Sequence, residues 1–164
     1  MSLDKILKLG NPILYQKSVE VEHGEIAALR EDIDLMHSLI LEFRKKYGAG
    51  RSIAAPQIGL LKRIICLNLD GKKYTLFNPR LSNFSEETME LWDDCMSFPN
   101  LLVKVKRHKS CTLHFVDEQF QKQEWNLSGD LSELLQHEYD HLKGILATQR
   151  AIDDKAFWYK ELNE

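Results

Sequence analysis

The hexapeptide QHEYDH at positions 136–141 combines two imidazoles with carboxylates at a spacing that suits metal chemistry. On an α-helix, residues four apart lie on one face, so His137 and His141 can hold the same ion. Glu138 lies beside them, where its carboxylate can take a proton from water that the ion activates. These residues predict a metal centre with Glu138 as the acid and base. The alternative is a chance match on a helix with surface histidines.

A helical wheel of the surrounding segment separates an apolar arc from a polar one. His137, Glu138 and His141 border the arc that holds Leu131, Leu134, Leu135 and Leu142. The opposite arc is predicted to face solvent, and it consists of Ser132, Glu133, Gln136, Tyr139, Asp140 and Lys143. A position next to the buried side favours a metal site over surface histidines, because unpaired buried polar groups are costly.

A catalytic zinc-type site needs a third protein ligand and one open position. The remaining histidines, the carboxylates and the cysteines are all candidates. Cys66 and Cys111 lie in apolar, strand-like runs and are predicted to be small buried residues. Cys95 lies instead between two acids and a Met-Ser-Phe-Pro turn, which makes it the best candidate.

The elements that must position these residues are two helices and several short strands. An apolar stripe at steps of three and four predicts a helix over 25–46, ended by Gly48 and Gly50. Short β-prone segments separated by turns predict antiparallel strands from about 51 to 127. A second helix is expected from Asp130, with Glu133 completing a capping box and Gly144 after its end. The last stretch is predicted to be a short surface helix, and the whole an α+β domain.

Size and charge limit the class of protein. The 164 residues suit one domain, 1–164, with a short tail from about 148. A net charge of -3, from 22 basic and 25 acidic residues, offers no basic surface for nucleic acid. No run approaches the ~18 apolar residues of a membrane span, and the N-terminus has no signal-like pattern, so we expect a cytoplasmic location. Three cysteines argue against a disulfide framework.

Three ordered segments together resemble the peptide deformylase family. GRSIAAPQIG at 50–59 matches the family's G-x-G-L-A-A-P-Q-x-G, and QHEYDH matches Q-H-E-x-D-H in full. DDCMS at 93–97 matches E-G-C-L-S imperfectly. The likeness runs from about residue 3 to about 147. A conventional zinc endopeptidase does not account for the first two segments.

The resemblance implies small antiparallel sheets packed around a central helix that carries the HExxH motif. It implies removal of the formyl group from N-formylmethionyl peptides, with one divalent metal held by Cys95, His137 and His141. The metal would be Fe(II) in the cell, with Zn, Ni or Co able to replace it. Glu138 would be the acid and base, and the Gln57 amide and the Met96 backbone N–H would bind the oxyanion. The implied substrate-binding residues are Gly50, Arg51, Ser52, Ile53 and Asp94.

Several departures from the family pattern concern the substrate. Ser52 and Asp94 replace glycines in loops that would lie against the peptide, and Leu102 replaces an arginine. A side chain at such a glycine position can block the backbone and lower activity on formyl-Met peptides. The alternative is therefore a homologue that retains the metal but has weak activity or a changed substrate, and that binds N-terminal peptides or a partner. The tail lacks a basic stripe, which argues against ribosome docking through a C-terminal helix.

Overall fold

The computed structural model describes residues 2–161 of the chain. The helices are α1 (Arg30–Tyr47) and α2 (Asp130–Leu142). The strands are β1 (Ser52–Ala54), β2 (Ile64–Leu69), β3 (Lys72–Ser82), β4 (Thr88–Asp93), β5 (Leu101–His108), β6 (Ser110–Val116), β7 (Lys122–Ser128) and β8 (Phe157–Tyr159). They form a five-stranded sheet, β1-β2-β3-β6-β7, and a three-stranded sheet, β4-β5-β8, with antiparallel pairing throughout. The predicted α+β class with small antiparallel sheets is confirmed.

Helix α2 lies between the two sheets and contacts strands of both. The predicted solvent-facing arc is wrong for Ser132, Gln136 and Asp140, which are all buried. The Ser132 hydroxyl and the Gln136 amide both donate to the carbonyl oxygen of His108, at 2.8 Å each. Gln136 Oε1 in turn accepts from the His108 backbone N–H at 3.0 Å. These three residues can be buried because strand β5 supplies the hydrogen bonds that water would otherwise make.

The apolar stripe of α1 packs against strands β1 and β2. Ile33, Met36, Ile40 and Phe43 are buried, as their spacing predicts. The helix begins at Arg30 rather than near 25, because 23–29 form two short 3₁₀ turns. Gly48 closes the helix in the left-handed region at φ 76°.

The sequence predicts the C-terminal end of α2 correctly but not its N-terminal end. No side chain caps the N-terminus, where Gly129 precedes the helix, so the predicted capping box is wrong. Glu133 instead pairs with Arg51, whose Nη2 lies 3.1 Å from Glu133 Oε1. At the other end Gly144 has φ 76°, as expected of the residue after a helix. A Cβ there would lie 2.5 Å from the carbonyl oxygen of Tyr15, so only glycine fits.

The predicted C-terminal surface helix is wrong within the described residues. Ala147–Arg150 form a 3₁₀ turn, and Phe157–Tyr159 form strand β8. This strand pairs with β5, with Trp158 opposite Leu102. Three consecutive aromatic residues fit a pleated edge better than a helix. The last part of the predicted helix, 162–164, lies outside the residues that the structure describes.

The cysteines outside the centre behave as predicted. Cys66 and Cys111 are buried free thiols that pack in the core.

Neither of the helices described over 2–161 is long and apolar enough to cross a bilayer.

Candidate metal centre and its cleft

The structure brings the three predicted ligands together. Cys95 follows strand β4, and His137 and His141 lie on successive turns of α2. Their ligand atoms all lie within 4.8 Å of one another, and all three residues are buried. The Sγ of Cys95 is 3.4 Å from the Nε2 of His141.

This donor set fits a divalent first-row metal. A tetrahedral site with metal–sulfur and metal–nitrogen bonds of about 2.3 and 2.0–2.1 Å separates sulfur from nitrogen by roughly 3.5 Å. The distance between Cys95 Sγ and His141 Nε2 is close to that value. Burial lowers the pKa of His141 to about 3, so its ring is neutral and a nitrogen lone pair is available to an ion. Thiolate and imidazole together suit several first-row ions.

A buried carboxylate orients the second ligand. Nδ1 of His137 donates to Oδ2 of Asp93 at 2.8 Å, which leaves Nε2 as the candidate ligand atom. The same oxygen accepts from Arg107 Nη2 at 3.0 Å, and Arg107 Nη1 donates to Asp140 Oδ2 at 2.8 Å. Burial would raise the pKa of Asp93, but the charges of His137 and Arg107 outweigh it and hold that pKa below its usual value.

Sequence reasoning assigned no role to Asp93, Arg107 or Asp140. Two of them stood next to the ligands: Asp140 lies inside the hexapeptide, and Asp93 lies two residues before Cys95. Arg107 had no local signal, because its partners are 14 and 33 residues away in the chain.

Glu138 lies beside the ligand atoms without belonging to their group. Its Oε1 is 3.9 Å from His137 Nε2, and its buried Oε2 has no hydrogen-bond partner among the described residues. Burial raises the pKa of Glu138 to about 7, although the charge of His137 acts in the opposite direction. A buried carboxylate with one oxygen free of hydrogen bonds is suited to exchanging protons with a reactant.

Gln57 joins two loops at the centre. Its Oε1 accepts from the backbone N–H of Ala54 at 2.9 Å. Its Nε2 donates to Ser97 Oγ at 3.1 Å and points at Cys95 Sγ at 3.4 Å. The amide is therefore fixed in orientation, with its N–H groups directed towards the ligand loop. Met96, the residue after Cys95, is also buried and lines the cleft.

A cleft of about 180 Å³ leads to Cys95, His137 and Glu138. Its apolar wall includes Phe43, Met96 and Leu134. The predicted substrate residues that line it are Gly50, Arg51, Ser52 and Asp94. Ile53 is not among the lining residues, because its side chain is fully buried in the core.

The glycine positions of the cleft differ in what they require. Gly50 has φ 137°, and a Cβ there would lie 3.2 Å from both Met96 and Phe43, so glycine is needed. Ser52 and Asp94 are not among the residues with positive φ, so neither carries backbone strain.

The fold and the centre together define a small α+β protein with an HExxH helix and a Cys-His-His donor set. A family model described as polypeptide deformylase matches residues 3–157. The chain belongs to the polypeptide deformylase family, as the resemblance predicted.

Curated relatives and solved structures agree with this assignment. A peptide deformylase of Leptospira biflexa is 32% identical, covering 98% of this chain and 94% of the relative. One of Fusobacterium nucleatum is 36% identical, covering 89% and 82%. The structure of a class I type b peptide deformylase from Acinetobacter baumannii has a TM-score of 0.81 at 30% identity, covering 89% of this chain and 97% of that one. The peptide deformylase from Thermotoga maritima has a TM-score of 0.81 at 26% identity, covering 90% and 97%.

Proposed function

We propose that this protein hydrolyses the formyl amide of N-formylmethionyl peptides and releases formate in a metal-dependent reaction. The observation that carries the proposal is the meeting of the Cys95, His137 and His141 ligand atoms beside the buried Glu138. Family membership supports the same reaction and does not favour a partner-binding protein without turnover.

Cys95, His137 and His141 would hold one divalent ion. A bound ion supplies Lewis acidity and lowers the pKa of water from about 15.7 to about 7. Fe(II) is the ion that we infer for the cell, and Zn, Ni and Co suit the same donors.

Glu138 would move the proton of the reaction. Its carboxylate accepts a proton from the attacking water, whose oxygen forms a bond to the formyl carbon. The C–N bond then breaks, and Glu138 delivers that proton to the departing amine. The free Oε2 and the exclusion of bulk water at this position support the assignment.

Gln57 and Met96 would stabilise the negative charge that develops on the formyl oxygen. Gln57 Nε2 points at the ligand sulfur, so its N–H lies next to the place where the reacting carbonyl must bind. The Met96 backbone N–H directly follows the ligand. Donors that are already oriented stabilise such charge without a reorganisation cost.

The formylated peptide would occupy the cleft. Gly50, Arg51, Ser52 and Asp94 line it and would contact the peptide. Ile53 can offer backbone atoms alone, because its side chain is buried. A cytoplasmic location and the absence of nucleic-acid, membrane and ribosome partners stay predictions.

The proposal is tested by measuring formate release from formyl-Met-Ala-Ser with protein loaded anaerobically with Fe(II). Zn-loaded and metal-free protein are measured in parallel, and Glu138→Gln is the matched control because it keeps the shape of the side chain. We expect turnover with metal and almost none with Glu138→Gln. Stoichiometric metal binding without formate release would contradict the proposed function.

A further inference from the structure

An ion pair forms part of the cleft wall. Arg51 Nη2 lies 3.1 Å from Glu133 Oε1, and both residues line the cavity that reaches Cys95 and Glu138. The Glu133 side chain is 14% exposed, whereas the Arg51 side chain is 41% exposed. One carboxylate is therefore mostly desolvated beside the reaction centre, and the proposed mechanism gives it no role.

The position of Glu133 relates it to the first side chain of a substrate. Glu133 precedes the ligand His137 by four residues on α2, which is one turn or about 6 Å along the axis. An extended side chain of methionine's length covers a similar span. In an N-formyl peptide, one nitrogen atom separates the formyl carbon from the Cα of the first residue. When the formyl carbon lies beside Glu138, the first side chain can therefore reach the ion pair.

The ion pair also lies where the cleft adjoins a second cavity. A neighbouring cavity of about 650 Å³ shares Ala49, Gly50 and Arg51 with the cleft. Arg51 thus lies between the two spaces, and Glu133 holds its guanidinium in place. A side chain entering from the formyl position would meet polar N–H groups and a carboxylate at the far end.

We propose that Arg51 and Glu133 make the subsite for the first side chain polar, so that the enzyme also processes N-formyl peptides whose first side chain is neutral and polar. This inference rests on the proposed deformylase function and defines its substrate range. Methionine remains a substrate, since Phe43, Met96 and Leu134 supply an apolar wall. A side chain with methionine's length and a polar end, such as glutamine or methionine sulfoxide, is accepted as well.

A polar side chain is preferred because the Arg51–Glu133 ion pair loses hydration water when a side chain reaches it. A thioether or a methyl group that reaches Arg51 and Glu133 displaces water and gives no hydrogen bond in return. An amide can accept from the guanidinium and donate to the carboxylate, and a sulfoxide oxygen can accept from the guanidinium. A charged side chain gains less, because the two residues already neutralise each other.

The test compares formyl-Gln-Ala-Ser with formyl-norleucine-Ala-Ser on the metal-loaded enzyme, where norleucine is the apolar isostere. The ratio of their kcat/KM values is measured for wild type and for Arg51→Met combined with Glu133→Leu. The matched control is Arg30→Met with Glu118→Leu, which removes a 2.7 Å ion pair between residues that do not line the cleft. Arg51→Gln with Glu133→Gln removes the charges but keeps hydrogen-bonding groups.

We expect the glutamine-to-norleucine ratio to fall at least about tenfold in the apolar double variant, well below the roughly 10⁴-fold that a site built to hydrogen-bond its substrate can reach. The control and the double glutamine variant should keep the wild-type ratio within about threefold. A fall below tenfold in the apolar variant overturns the inference, even if every protein turns over both peptides.

A second readout separates this inference from the proposed reaction. The affinities of the unformylated peptides Gln-Ala-Ser and norleucine-Ala-Ser are measured by equilibrium titration, which needs no turnover. The same variants should shift the affinity ratio in the same direction. An enzyme that releases no formate from either substrate contradicts the proposed function, whereas an unchanged affinity ratio contradicts the polar subsite alone.

Discussion

Oδ2 of Asp93 lies 2.8 Å from Nδ1 of His137 and 3.0 Å from Nη2 of Arg107. One carboxylate oxygen thus joins a candidate ligand histidine to a buried arginine that is itself bound to Asp140. The bond to His137 sets which ring nitrogen carries the proton, and the bond to Arg107 compensates the buried charge.

We predict that Asp93→Asn weakens metal binding by about 10- to 100-fold, the usual effect of removing the partner of a ligand histidine. Asparagine keeps the size of the side chain but removes its charge. The measurement is competition for the metal with a chelator of known affinity. Thermal unfolding of the metal-free proteins serves as a control, because it reports the loss of stability that comes from weakening the interaction with Arg107. Equal affinities in wild type and variant would mean that Asp93 has a structural role alone.

We predict that Cys95→Ala and His141→Ala each lose the stoichiometric metal of the wild type. Each change removes one of three donors, and the two that remain bind a first-row ion far more weakly. Metal analysis of the purified proteins measures the outcome. Cys111→Ala is the matched control, since this cysteine is buried away from the centre. One bound metal per chain in both ligand variants would refute the ligand assignment.

We predict that Glu138→Ala retains its metal but loses turnover by at least about 10²- to 10⁴-fold, the contribution typical of general acid–base catalysis. The residue lies next to the ligand atoms without belonging to their group. Metal content and formate release are measured on the same preparation. Loss of the metal instead would show that Glu138 is a ligand or holds the ligands in place.

We predict that Gln57→Leu lowers kcat more than it raises KM, with a loss of about 10²- to 10³-fold, as for other oxyanion donors. Ser97→Ala is the control, because it removes the hydroxyl that the amide contacts but leaves the amide. If Ser97→Ala caused the same loss, the contribution of Gln57 would be to hold the loops together. An effect confined to KM would assign Gln57 to substrate positioning.

We predict that His37 makes the protein less stable as the pH falls below about 6.5. His37 is buried in α1, with Nε2 2.9 Å from Thr75 Oγ1, and burial lowers its pKa. Below the ordinary histidine pKa the unfolded chain takes up a proton that the folded state resists, so the free energy of unfolding decreases.

The size of this effect follows from the linkage between protonation and folding. At pH 5.5 the loss due to His37 amounts to at most about 1.4 kcal/mol. Chemical denaturation at pH 5.5 and 7.5, compared between wild type and His37→Gln, isolates this contribution from those of the other titrating groups. Parallel changes in both proteins would exclude His37 as a source of the pH dependence.

Most residues of the candidate metal centre could be predicted from the sequence, because the patterns that mark them are local. His137 and His141 are related by a helical repeat, and Cys95 was distinguished by its acidic and turn-forming neighbours. The apolar stripe of α1, the main strands and Gly144 likewise depend on the residues next to them. The order of three short segments was specific enough to predict the family.

The tertiary structure decided what depends on partners far apart in the chain. Asp93 and His137 are 44 residues apart, and Arg51 and Glu133 are 82 apart, so no local pattern pairs them. Gln136 belonged to the polar arc of a wheel, yet strand β5 buries it and satisfies its amide. The helical period determines which side chains share a face, whereas the element that packs on that face determines whether they meet water, a carboxylate or a metal.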